Sequence, residues 1–233
     1  NDASKKQTKY PVLQQHFVGF FIKTKNDFFD ESAATFMDFT VAQKGNTRFM
    51  YVLPIAKNEA LFEYTLFSKD VLPYDHYQSE IEKYLNDKNI TDYEIIEKEQ
   101  GSIPMTSYKF WKNNSNNIIH IGTAGGWSKA STGFTFKNTT NKTALLIKHI
   151  KEGKSLTKFH KVTKFWLYDL LLLDILSQQN ELGASIFGKM FQKSHPNQIL
   201  KFLDEETSFL EDLKIQLKMP IWLFTKALLK RIF

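Results

Sequence analysis

The chain of 233 residues contains no cysteine. That excludes a disulfide framework, a thiol nucleophile and a cysteine-ligated metal, and it fits a reducing compartment. Arginine is scarce too: Arg48 and Arg231 are the only two, so lysine carries the formal net charge of +6. Nucleic-acid readers lean on the planar guanidinium for paired contacts to bases and phosphates, so no nucleic-acid partner is expected. The histidines, His16, His76, His120, His149, His160 and His195, form no HxxxH or HExxH pair, and no metal site is expected. No apolar run is long enough to cross a bilayer; the best, Phe165 to Leu176, is cut by Asp169 and Asp174. Neither a signal peptide nor an initiator methionine is present, and Asn1 to Lys9 reads as disordered. The expectation is a chain that starts partway into a larger protein.

What remains is ample apolar material for one large domain or two modest ones. Residues 14–22, 34–41, 48–54 and 60–68 are rich in Phe, Tyr, Val and Ile and are separated by polar turns, which predicts strands, the last two as a hairpin. A short helix is predicted over 74–86, with Tyr77, Ile81, Tyr84 and Leu85 on one face. Further strands are expected over 93–98, 105–111 and 118–121. From Ser131 onward the pattern is helical, roughly 131–152, 157–179, 184–193, 196–204, 206–218 and 220–232, with Pro196 and Pro220 at helix starts. A mixed sheet followed by helices indicates the α/β class in its mixed α+β form.

Three features bear on chemistry. Ile118 to Gly133 predicts a short strand entering a glycine-rich turn at Gly122-Thr123-Ala124-Gly125-Gly126, after which Ser131-Thr132-Gly133 open a helix. That order aims free backbone N–H groups and a helix dipole at an anionic or carbonyl-rich cofactor. It is neither GxGxxG nor GxxxxGK(S/T), and glycines that merely permit tight packing are the alternative. Glu63, in Leu61-Phe62-Glu63-Tyr64-Thr65-Leu66-Phe67, shares a strand face with Leu61, Thr65 and Phe67. Desolvation there would keep the carboxyl protonated near neutrality and able to act as an acid; a solvated glutamate on an edge strand is the alternative. Asp38, between Met37 and Phe39, has a similar setting. Lys148, Lys151, Lys154, Lys158, Lys161 and Lys164, together with the basic amphipathic segment Pro220 to Phe233, read either as solvated surface and a terminal core helix or as a membrane-surface contact. Most of the 21 phenylalanines must be core, but rings lining a tunnel would suit a long apolar ligand and a passing carbocation.

Taken together, these segments resemble the lycopene cyclase family of flavoproteins. The resemblance is carried by Gln14-Gln15-His16-Phe17-Val18-Gly19, Phe36-Met37-Asp38-Phe39, Tyr51-Val52-Leu53-Pro54 with Leu61-Phe62-Glu63-Tyr64-Thr65, Glu99-Gln100-Gly101-Ser102-Ile103-Pro104-Met105, and Gly122 to Gly126 through Ser131-Thr132-Gly133-Phe134. The first acid of the family's acidic motif falls on Glu63, and its second is replaced by Tyr64. Phe202-Leu203-Asp204-Glu205-Glu206-Thr207 looks more like that motif by eye, but it lies in the helical tail and reads as a solvated helix boundary. Lys129-Ala130 replaces the family's frequent His-Pro, and Thr123 stands where related flavoproteins place an aspartate for the ribityl chain.

The resemblance implies the C-terminal part of a two-domain flavoprotein of the glutathione-reductase-like or hydroxylase-like type. Its expected plan is a linker or disordered segment over 1–11, a mixed-sheet substrate domain over 12–98, returning strands and a helix of the FAD-binding domain over 99–152, and a helical region over 153–233. The implied reaction is redox-neutral, acid-catalysed cyclisation of lycopene ends to β-ionone rings. Glu63 would be catalytic, with reduced FAD on Gly122, Thr123, Ala124, Gly125, Gly126, Ser131, Thr132 and Gly133, and NAD(P)H as upstream reductant. The N-terminal GxGxxG unit is missing from the chain, so this piece alone is expected to be inactive. A long polyene substrate and a cytoplasmic, peripheral membrane location follow. An isoprenoid hydroxylase or reductase, and a non-enzymatic carotenoid or lipid carrier, are the competing readings.

Overall fold

Alternating apolar side chains build a five-stranded sheet in a computed structural model that describes residues 2–233. The strands are β1 (Leu13–Thr24), β2 (Thr35–Asp38), β3 (Thr47–Ala56), β4 (Glu59–Ser68) and β5 (Tyr93–Met105), in the order β2-β3-β4-β1-β5. The β2–β3, β3–β4 and β4–β1 pairs are antiparallel. One sheet face is a conventional core: Val18, Phe20, Ile22, Met50, Phe62, Tyr64 and Leu66 pack with Tyr77, Ile81, Tyr84 and Leu85 of the helix at Tyr74–Asp87. The other face is considered below.

The strand expected over 93–98 forms and runs on through Gly101 to Met105 as β5, whereas the one expected over 105–111 does not form, and Phe110–Asn113 is a 3-10 turn. Gly101 does not break the strand because the Phe17 ring lies over it: a Cβ there would come 2.5 Å from Phe17 Cζ. The predicted strand at 118–121 is absent. Its backbone is satisfied locally, with Ser115 N–H donating to the Ile118 carbonyl at 2.9 Å, Ile118 N–H to Ser115 Oγ at 3.1 Å and His120 N–H to Asn114 Oδ1 at 2.9 Å.

The chain divides into two compact units. The sheet unit comprises Gln14–Ile103 and Gln179–Ala184; the helical unit comprises Asn1–Leu13, Pro104–Gln178 and Ser185–Phe233. Within the sheet unit, Asn180 clasps two strands: its Oδ1 accepts from Thr47 N–H at 2.7 Å, its carbonyl from Thr47 Oγ1 at 2.8 Å, and its Nδ2 donates to the Phe67 carbonyl at 3.0 Å.

The helices, in chain order, are α1 (Asp2–Lys5), α2 (Tyr74–Asp87), α3 (Phe136–Lys151), α4 (Lys164–Gln178), α5 (Gly183–Lys193), α6 (Pro196–Leu203), α7 (Phe209–Gln216) and α8 (Ile221–Ile232). The expected linker over 1–11 carries α1, and Tyr10 packs edge-on against Tyr108 and Trp166. Helix α3 starts at Phe136, five residues later than expected, because Gly133 takes a positive φ of 71° and closes a turn onto the Lys129 carbonyl. Helix α7 starts on a capping box between Ser208 and Glu211. Arg231 of α8 forks onto both carboxylate oxygens of Asp174 on α4, at 2.7 and 2.5 Å.

Candidate active site

The sheet face turned away from α2 is aromatic, with two carboxyl groups at its centre. β4 is an inner strand, so Glu63 is not an edge residue. Its cross-strand neighbours are Gly19 on β1 and Tyr51 on β3, and the same face carries Phe17, Phe21, Phe49, Leu53, Leu61, Thr65 and Phe67. Phe49 stands at the middle of the ring cluster, 5.0 Å from Tyr51, 5.3 Å from Phe67 and 5.7 Å from Phe39.

Gly19 makes room for the second acid. A Cβ at that position would lie 2.9 Å from Glu99 Cγ and Glu99 Oε1, and 2.9 Å from Leu61 Cδ1. The Glu99 side chain therefore passes over the glycine from β5 and reaches Glu63, to which it is hydrogen bonded. Burial raises the Glu63 carboxyl to about 7; the Thr65 hydroxyl, donating to Oε1 at 2.8 Å, works against this, and the charge and hydrogen bond of Glu99 add to the rise. Two carboxyl groups sharing a site cannot both ionise cheaply, so the pair keeps a proton near neutrality. Burial, reinforced by Glu63, also pushes the Tyr51 hydroxyl above its ordinary range.

Asp38 shows what the same kind of sequence setting does with different partners. Met37 takes a positive φ of 56° and the β2–β3 register shifts between Thr35 and Asp38. The Asp38 carboxylate accepts from Tyr84 Oη of α2 at 2.7 Å and from Thr40 N–H at 2.9 Å. Burial alone would raise it, but Thr40, Tyr84 and Lys88 outweigh that and hold it below the usual carboxylate range. It is an ionised structural acceptor, not an acid.

His16, fully buried on the α2 side, is likewise structural. Leu72 N–H donates to Tyr77 Oη at 3.0 Å, and Ser68 Oγ donates to the Asp70 carbonyl at 2.6 Å. Tyr77 therefore donates to Nδ1 and Nε2–H to Ser68, which assigns a neutral imidazole. Burial, then the Arg48 charge, lowers it to about 4.

In the helical unit the glycine stretch forms a 3-10 turn, Gly122–Gly125, followed by Gly126 in the left-handed region. Most of the expected N–H donors are spent internally: Gly125 on Ile121, Gly126 on Thr123, Trp127 on Gly122, and Thr132 and Gly133 on Lys129. The Ser131 hydroxyl donates to buried Asp169 at 2.7 Å, so it too is committed. These bonds correct the expectation of a strand–turn–helix cradle with free donors over 122–133. What remains is the start of the turn, Gly122, Thr123 and Ala124, where the first N–H groups have no partner within the 3-10 turn. A Cβ on Gly122 would meet nothing within 4 Å, so the backbone there is uncovered. That opening fits the carbonyl-bearing edge of a flat ring. The sequence has no GxGxxG, so the phosphate-binding fingerprint of a dinucleotide is not among its motifs. Thr123 Oγ1 joins Ser128 and Thr135 in a hydroxyl chain, with links of 2.9 and 2.8 Å.

Lys129, beside this turn, carries a role the sequence did not signal. It is 3 % exposed, 2.9 Å from Asp169 and 3.4 Å from Glu205, and it keeps its charge because those acids outweigh the cost of burial. The 202–207 segment does end a helix, but Glu205 faces this buried lysine instead of water. Lys164 leaves the expected basic run to bind Asp212 at 2.5 Å and the Thr207 carbonyl at 2.7 Å. Among the described residues no cluster of metal-ligating side chains is present, and no helix is long and apolar enough to cross a membrane.

A helix-backed sheet with a mixed helical unit defines the α+β class, and the arrangement is shared with a solved protein. The crystal structure of a geranylgeranyl bacteriochlorophyll reductase-like protein from Thermoplasma acidophilum superposes with a TM-score of 0.51 at 10% identity, over 94% of this chain and 55% of that one. The chain thus spans about half the length of that neighbour. The family model described as lycopene cyclase protein matches residues 2–229, and the chain belongs to that family. No curated protein matches the sequence.

Proposed function

We propose that this chain supplies the acid-bearing part of a lycopene cyclase, which closes the ends of linear lycopene into β-ionone rings without net redox change. One observation carries the reading: in a member of this family, an inner-strand glutamate on an aromatic sheet face is raised by burial and hydrogen bonded to a second carboxyl. A proton passes from the Glu63–Glu99 pair to a terminal double bond of the polyene. The tertiary cation is attacked by the neighbouring double bond, a carbon–carbon bond forms, and a proton returns to the pair as the ring alkene appears. Protons and electrons balance, so the product is an isomer. The pair then carries an added negative charge while the cation exists and stabilises it electrostatically, as do the faces of Phe17 and Tyr51. Apolar Leu53, Leu61 and Phe21 hold the hydrocarbon and exclude water.

FAD in its reduced form, replenished by NAD(P)H, would supply electron density when bound. Gly122, Thr123 and Ala124 are the residues that would hold its ring edge. A nucleotide-binding segment outside this sequence is needed for the rest of the cofactor. The membrane supplies the substrate. Helix α3 supports a peripheral contact, since it buries no residue fully and exposes Phe136, Leu145, Ile147 and Ile150 beside Lys148 and Lys151.

The test is Glu63→Gln in the protein carrying its nucleotide-binding half, expressed in lycopene-accumulating cells. Cyclised product should fall by about 100-fold or more; wild-type conversion refutes the assignment. The reductase-like neighbour favours a second reading, a flavin-dependent isoprenoid reductase. A product two mass units heavier, in place of an isomer, would establish it.

A further inference from the structure

We propose that the helical unit binds a hydrocarbon chain in a cavity of its own. Leu171 and Leu172 of α4, Ile186 and Met190 of α5, Phe202 of α6 and Leu228 of α8 enclose a space of about 270 Å³. Every lining residue belongs to the helical unit, so this is a site separate from the Glu63 face. The helices touch elsewhere, as where Arg231 of α8 reaches Asp174 of α4, but leave between them a volume well above the roughly 150 Å³ at which an apolar cavity stays dry and accepts a benzene-sized guest.

The polar groups at the floor decide the chemical class of the guest. Lys129 is taken by Asp169 and Glu205, Ser131 by Asp169, and Tyr168 Oη donates to Asp212 at 3.2 Å. None of these groups offers a bond to a carboxylate, an amine or a phosphate without breaking a buried pair, and the rest of the polar lining, Thr132, Gln216 and Thr225, has no charge to set against one. The guest is therefore apolar along the length it inserts. It has an entrance, because Leu167 and Ile221 line the cavity while 36% and 47% exposed. Helix α8 presents Trp222, Leu229, Ile232 and Phe233 outward next to Lys226 and Lys230, the composition of a helix lying at a lipid surface. A polyene segment and a membrane acyl chain share this chemistry.

The experiment titrates diphenylhexatriene, a rod-shaped hydrocarbon that brightens in apolar surroundings, into the full chain. Saturable binding at one site is expected. Leu228→Trp and Met190→Trp, which fill the space, should each weaken it by about tenfold or more with Tm unchanged or raised. A diazirine-bearing alkane should label peptides of α4, α5 or α8 in the unmodified protein, which localises the site even if a filled variant fails to fold. Absence of saturable binding, wild-type affinity in both folded variants, or labelling confined to other peptides overturns the proposal. Competition by micellar lycopene identifies a polyene as the source, and competition by dioleoylphosphatidylcholine vesicles identifies an acyl chain; competition by neither overturns it. Glu63→Gln, inactive on the cyclase reading, should still bind the probe. Loss of binding in that variant would place the probe on the sheet face and overturn the proposal, whatever becomes of the cyclase reading.

Discussion

The sheet unit and the helical unit each remove charge-bearing side chains from water, with opposite results. In the sheet unit Glu63 meets a like partner, Glu99, and the carboxyl is lifted to about 7. In the helical unit Lys129 meets opposite partners, Asp169 and Glu205, and stays charged although it is far more deeply buried. Burial makes ionisation costly in both places, and the sign of the neighbour decides which way the group responds. A carboxyl that holds its proton and a structural ion cluster thus differ in the charge of the partner that meets the buried group.

The hardest way to break this contrast is Lys129→Met. It leaves Asp169 and Glu205 without their cation, and we expect a loss of about 3–5 kcal/mol in thermal or denaturant unfolding. Unfolding at wild-type Tm would show that the cluster is not coupled as the distances imply. Gly19→Ala comes next: its Cβ meets Glu99 and Leu61 at 2.9 Å, so overpacking should cost about 1–3 kcal/mol and displace Glu99 from Glu63. A fall in the Glu63 titration midpoint, followed by carboxyl NMR, would confirm that the glycine holds the pair together.

The pH dependence of stability sharpens the contrast further. Glu63 binds a proton in the folded state up to about pH 7 but in the unfolded state only to its ordinary value of 4.5, so its contribution falls as pH rises through that window. His16 and His160, both lowered to about 4, act with the opposite sign: their stability is lost as pH falls from 6.5 toward 4. Between pH 6.5 and 7.5 the unfolded histidines are still losing protons and oppose Glu63, so the test is a difference: the stability of the wild type minus that of Glu63→Gln should fall as pH rises through this window. An unchanged slope in that variant would mean another group is titrating. Glu99→Gln should lower the Glu63 midpoint without restoring it to an ordinary value, because burial is the larger cause. The smallest effect belongs to Asp38→Asn, which weakens bonds from Tyr84 and Thr40 by about 1 kcal/mol and leaves the titration near pH 7 untouched.

Period-two alternation made the Glu63 face legible, because residues opposite one another across β3, β4 and β1 keep their faces. The later helices were legible through apolar periodicity and, for α6 and α8, a proline start, although the one expected over 157–179 opens only at Lys164, after a separate 3-10 turn at Leu156–Lys158. Glu99 was not, since its meeting with Glu63 depends on which strand flanks β1 and on a missing side chain at Gly19. Asp38 could not be sorted from Glu63 without the left-handed Met37 that shifts its register. The strand expected at 118–121 failed because Asn114 and Ser115 satisfy its backbone from nearby in sequence, a competition that hydrophobic pattern does not register.

The Asn180 clasp has a consequence for dissection. The stretch that completes the sheet unit arrives more than a hundred residues after β4, so no continuous excision can carry every part of it without the helical segment between. Cutting the gene after codon 103 would leave Thr47 N–H and the Phe67 carbonyl without the side chain that answers them. An isolated sheet should be sought by splicing residues 179–184 back through a short linker, not by truncation.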